Sequence, residues 1–197
     1  MDAERLAARA GVVCPLVTFA ATIAAILASP TFSWSTSALS DLGAPGAANP
    51  WLFNYGLVAG MVLTLPFAWA LWTAAAHPLQ RLGTVAAAAT LVLLGLVGVF
   101  PAGTDLHFPV AVAFFVGVSV TTWIHGTGAV LARDARRGLL AIWVGIVHLL
   151  VWIGWAALGG GGIAVPEMVG AVLFYGWVVL EAQLMGVGSG RSSSVSP

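Results

Sequence analysis

Asp41, Asp105, His107 and Glu167 are the side chains of this chain best suited to exchange a proton or hold a cation. Carboxylates beside an imidazole can act as general acid and base, or can offer oxygen and nitrogen to a metal ion. Ser37 and Ser40 flank Asp41 in the run "SALSDLG", and Asn54 adds an amide shortly after it. Asp105 and His107 share the short segment "FPAGTDLHFP", and Glu167 follows Pro166. These seven residues are the candidate ligand-binding set. A single histidine with scattered acids is a poor zinc site, and no HExxH motif is present. Oxygen ligands of this kind would suit Mg²⁺, Mn²⁺ or Ca²⁺ instead. His125, His148 and Glu181 form a second group of candidates, because each lies inside a long apolar run, where an ionisable group is a functional candidate. His107 and His125 are 125 − 107 = 18 residues apart. Along one helix that is about 27 Å, too far for one ion. No catalytic residue, metal or cofactor is assigned by these patterns.

Each candidate also has a simpler reading. Ser40 or Asp41 can cap a short helix that Gly43 stops. Thr104-Asp105 ahead of an apolar run is a helix-start signal, and Glu167 sits in a first turn where a carboxylate suits the helix dipole. His107 reads as a hydrogen-bonded residue at an interface, and His77, at the end of the second apolar run, simply as an interfacial residue. Glu181 can pair with Arg191 or with the arginines between 133 and 137.

The elements that must position these groups follow from composition. Hydrophobic residues make up 60% of 197 and charged residues 7%, against about 25% charged in a soluble domain. Mean hydropathy is +1.00. Lipid is therefore the expected solvent. A formal net charge of zero gives no basic patch for nucleic acid. The one cysteine, Cys14, excludes an intramolecular disulfide and reads as a small hydrophobe. The N-terminus is too acidic for a typical signal peptide, so the first apolar run is expected to remain as a membrane helix.

Six runs are long enough to span a bilayer, near residues 11–28, 51–76, 82–100, 108–132, 139–158 and 165–187. The fold class is thus all-α, an integral membrane six-helix bundle, followed by a Ser- and Gly-rich tail at 188–197 expected to be disordered. All seven arginines fall on one side of this scheme, and there is no lysine. The positive-inside rule places both termini in the cytoplasm and the protein as a multi-pass component of the cell membrane. Asp41, Asp105, His107 and Glu167 then share the outer side. Trp34, Trp51 and Trp72 fit interfacial positions, and Pro66 is expected to kink the second helix. Gly95 with Gly98, and Gly117 with Gly126 and Gly128, make small surfaces on which helices approach closely, which leaves a homo-oligomer open.

The stretch "SALSDLGAPGAANPWLFNYGLVAGMVL", followed by "FPAGTDLHFPVA", resembles the domain-of-unknown-function family 998. The carrying residues are Ser37 to Gly43, Leu52-Phe53-Asn54, and Phe100-Pro101 with His107, and the resemblance extends over about residues 10 to 187. It implies a six-span bacterial or archaeal membrane protein, similar in outline to the Frag1/DRAM/Sfk1 membrane proteins. It brings no activity and no catalytic residue. In such proteins these motifs fall at the outer ends of spans one to four. The first outer loop is accordingly expected to fold back over the bundle mouth, with Asp41, Asn54, Asp105 and His107 beneath it. The leading functional expectation is binding of membrane lipid or a small ligand at an outer polar pocket. One alternative is an intramembrane lipid hydrolase assisted by metal or by acid–base groups. Another is a small transporter, for which no inverted repeat or charged midplane speaks.

Overall fold

The computed structural model describes residues 3–191, with side chains from 6 to 185. It contains α1 (Ala3–Leu27), α2 (Pro50–Ala74), α3 (Pro78–Val99), α4 (His107–Leu131), α5 (Ala135–Ala157) and α6 (Ala164–Arg191), with a short 3₁₀ helix at Leu39–Gly43. All six α-helices are long and apolar enough to cross a membrane. In hydrocarbon every backbone N–H and C=O must be bonded within the protein, and a helix does this within one segment. Pro50 and Pro78 open α2 and α3, where a missing N–H costs nothing. Pro15 and Pro66 lie inside α1 and α2 without ending them.

The helices overrun the apolar stretches at several ends. α5 begins at Ala135 rather than 139 because Asp134 caps it, accepting the Arg137 N–H at 3.3 Å. α6 continues to Arg191, beyond the expected end at 187 and into the expected tail. The rest of that tail, 192–197, lies outside the described residues.

Each helix packs on its sequence neighbours, and α6 closes the ring on α1. Neighbours are antiparallel. Gly98 near the end of α3 meets Asn54 near the start of α2, and Gly126 near the end of α4 meets Gly138 near the start of α5. One end of the bundle, the loop end, therefore carries the α1–α2, α3–α4 and α5–α6 connections. The other, the terminus end, carries both chain ends. Every arginine lies on an element of the terminus end. Phe67, Phe174, Tyr175 and Trp177 fill the interior.

The small-residue surfaces are used inside the bundle. Gly95 and Gly98 face α2, Gly117 and Gly128 face α3, and Gly126 faces α5. Gly145 of α5 likewise sits against Thr122 and Trp123 of α4. α4 and α5 thus close tightly at the terminus end. Toward the loop end their facing residues become larger, and a groove opens between them.

The 22-residue stretch 28–49 before α2 is ordered. Leu39 and Leu42 are buried, and Asn54 Nδ2 donates to Gly43 O at 2.9 Å. A side chain at Gly43 would run into Asn54 and Phe53, which is why glycine ends this turn. The loop is also tied to the α5–α6 connection. Gly162 N–H donates to Ser35 O at 2.7 Å and Ala164 N–H to Ser37 O at 2.9 Å.

Candidate functional site

The 3₁₀ helix Leu39–Gly43 is held at its start by two carboxylates. Asp41 Oδ2 accepts the Ala38 N–H at 2.8 Å, a local cap. Glu167 Oε2 accepts the Leu39 N–H at 2.5 Å from across the bundle mouth. Glu167 is only 6% exposed. It sits in the first turn of α6, as expected, and also accepts the first N–H of another element. The reason is the docking of the first loop on the α6 start, which brings free N–H groups to the carboxylate.

A groove of about 680 Å³ begins at this point and runs along α4 and α5. Its polar end is formed by Ser40, Asp41, His107 and Glu167. Phe108, Val112 and Val116 of α4 and Leu149 of α5 line it while also facing outward. The groove is therefore open sideways, toward the lipid. Along α4 it extends from His107 to Trp123, about 24 Å at the helical rise. A second, smaller cavity of about 50 Å³ lies at the bundle centre, bordered by Thr18, Thr22, Tyr175 and Leu39. Ser40, Phe115 and Glu167 border both spaces.

Deeper in the groove sit Ser119 and His148. Ser119 Oγ is 2.9 Å from His148 Nδ1, and Trp152 Nε1 donates to His148 Nε2 at 3.2 Å. An indole nitrogen only donates, so Nε2 must be the lone-pair nitrogen and Nδ1 carries the proton. His148 then donates to Ser119, and Ser119 donates onward to Gly145 O at 3.2 Å. This is the reverse of the polarity a serine nucleophile requires, in which the imidazole accepts from the hydroxyl. Phe115 stacks on His148 with centroids 6.1 Å apart, which fixes the ring further.

The remaining candidates separate. His107 is in the groove wall, and its Nδ1 is 2.8 Å from Phe100 O. Asp105 is exposed in the turn and does not enter the groove. Nor does it cap α4: Leu106 is the N-cap residue, and no side chain bonds there. Gly103, at φ 93°, turns the chain so that Thr104 faces back to Pro101, and Asp105 is left outside. Ser37 Oγ accepts the Ser33 N–H at 3.2 Å within its own loop. Asn54 braces Gly43 beneath the loop.

His125 and Glu181 meet at the terminus end. Arg137 Nε donates to Glu181 Oε2 at 2.8 Å, and the second guanidinium nitrogen bonds the same oxygen. His125 Nδ1 is 3.9 Å from Glu181 Oε1. Both residues are fully buried, and the Trp177 ring meets His125 edge to face. This cluster joins α4, α5 and α6 far from the groove mouth. His77 caps α3, its Nδ1 accepting the Leu79 N–H at 3.1 Å. Among the described residues, no three His, Cys, Asp or Glu side chains converge as a metal ion would require.

Ser119, Trp152, Tyr175 and Thr18 belong to these cavities and are not singled out by the sequence. A signal for Ser119 exists: Ser119, Thr122 and His125 recur every three residues in an otherwise apolar span, the repeat of one helix face. Thr18 and Thr22 do the same at a spacing of four, and Thr18 Oγ1 lies 3.1 Å from Tyr175 Oη.

No curated protein and no solved structure matches this chain. The family model described as "Protein of unknown function (DUF998)" matches residues 12–183, the six helices and the ordered loop together. The chain, a six-helix membrane protein, belongs to the DUF998 family.

Proposed function

We propose that this protein binds a lipid or small amphiphile in the groove between α4 and α5, with the polar head at the loop end and the apolar part along α4. One observation carries this reading: a single cavity has acidic and other polar groups at its mouth, Ser40, Asp41, His107 and Glu167, and apolar walls that open sideways, while Ser119 and His148 at its foot bond to each other. A polar ligand would not need the apolar length, and a plain lipid contact would not need the mouth. Sites of this type place a few polar groups to orient a ligand that apolar surface binds. The gathering of the arginines at the terminus end supports a cytoplasmic position for that end in the cell membrane, with the groove mouth on the outer side.

The experiment is lipid extraction and native mass spectrometry of the protein purified in mild detergent, beside a Val116→Trp variant that fills the groove. Val116 is 57% exposed, so the larger ring does not disturb the core. Co-purified amphiphile is expected on the parent protein and lost from the variant. Equal retention by both would overturn the groove as the site.

A further inference from the structure

We infer that the occupant of the groove carries an ammonium head: the site takes a single-chain amphiphile with a protonated amine. This rests on the groove being an amphiphile site. The groove mouth presents two carboxylates, Asp41 and Glu167, together with Ser40 of the same 3₁₀ helix as Asp41. No arginine or lysine lies on the connections of the loop end, since all seven arginines are on elements of the other end. His107 is the only mouth group able to carry a positive charge. Its Nδ1 faces Phe100 O, so an N–H there is directed at the backbone. A phosphate or sulfate head would thus meet the Asp41 and Glu167 carboxylates with no fixed cation to neutralise it. An ammonium group is a pure donor. It matches a mouth made largely of acceptors, beside walls of low dielectric where such a pairing is strengthened.

The position of the site between two adjacent helices argues for one chain rather than two. The groove lies between two helices that close on each other through Gly126, Gly138 and Gly145. Ser119, Trp123 and His148 line its foot. Its walls at Phe108, Val112 and Val116 are exposed along one stripe of α4, so a chain lying there keeps one side in contact with the bilayer.

The test compares hexadecylamine, hexadecyl sulfate and hexadecyl maltoside, which share a tail and differ in head. Each competes with a spin-labelled fatty amine that quenches tryptophan fluorescence of the intact protein in neutral detergent. Trp123 and Trp152 in the groove wall report on occupancy. The amine is expected to bind about tenfold more tightly than the sulfate, the scale of one partly desolvated ion pair. That preference should shrink as salt is raised. Asp41→Asn keeps an oxygen to accept the Ala38 N–H, and Glu167→Gln keeps one for Leu39, so both loops can still form. Either variant should reduce the amine-to-sulfate ratio several-fold and weaken the amine more than the maltoside. Val116→Trp separates the two ideas. If it blocks all three amphiphiles and they bind the parent equally, the groove stands and the ammonium inference falls. If it blocks none of them, both fall. A preference for the amine that persists in both Asp41→Asn and Glu167→Gln would also overturn the inference.

Discussion

Two buried acids in this protein do different work, and substitution separates them. Glu167 accepts a backbone N–H at the start of the 3₁₀ helix. Glu167→Ala leaves that donor unpaired beneath the loop, at a cost of about 1–3 kcal/mol. Glu167→Gln retains an acceptor oxygen and should lose much less. Thermal unfolding in detergent checks this, and equal losses for the two variants would contradict the role of the oxygen. Glu181 instead sits between Arg137 and His125. Removing only the guanidinium, as in Arg137→Ala, strands a buried carboxylate, with an expected cost of about 3–5 kcal/mol. The double variant Arg137→Ala/Glu181→Ala should be more stable than the sum of the single losses predicts. Additive losses in the same unfolding assay would show that the two side chains do not act as a pair. Of these roles, the Arg137–Glu181 pairing was legible beforehand, because an acid and an arginine cluster fell at one membrane side. The Glu167 role was not, since its partner lies 128 residues away and is a backbone group.

At the level of elements, the end of α4 shows a residue working against its backbone. Arg133 has φ 67°, and its N–H donates to Val130 O while Asp134 N–H donates to Ala129 O. This paired pattern closes a helix through a left-handed residue, a position usually given to glycine. A side chain there costs roughly 1–2 kcal/mol. Arg133→Gly is therefore expected to raise the unfolding temperature, by about 1 kcal/mol of added stability, and a fall would count against the strain. The arginine is retained at the end that holds the chain's other basic residues, where charge favours both the helix C-terminus and the proposed orientation. The splay of α4 and α5 has a similar local origin. Gly126, Gly138 and Gly145 set a close approach at one end, and Phe115, Trp152 and His148 fill the wider space toward the other.

For the molecule as a whole, orientation is the property that decides where the groove mouth faces. Cys14 is the sole cysteine and is fully buried, so single reporters can be read without a cysteine-free background. Ala48→Cys, at an exposed position of the loop end, should react with a membrane-impermeant maleimide in intact cells. Ala135→Cys, exposed at the terminus end, should react only after permeabilisation. The opposite pattern would reverse the proposed orientation and direct the groove mouth to the cytoplasm.

Number and order of the helices are determined by the sequence alone, because each span must satisfy its backbone and its apolar side chains within about 20 consecutive residues. The same holds for the sorting of arginines to one end, and for the Ser37–Gly43 turn that Asp41 caps locally. Which polar groups meet was decided only by the tertiary structure. Asp41 and His107 line one groove while Asp105, two residues from His107, is turned away by Gly103. Ser119 gained a partner in His148, which Trp152 bonds in turn, because two helices chose a particular rotation and spacing. Local spacing fixes a helix face within a few turns, but convergence of distant faces depends on the packing of small and large residues along every interface at once.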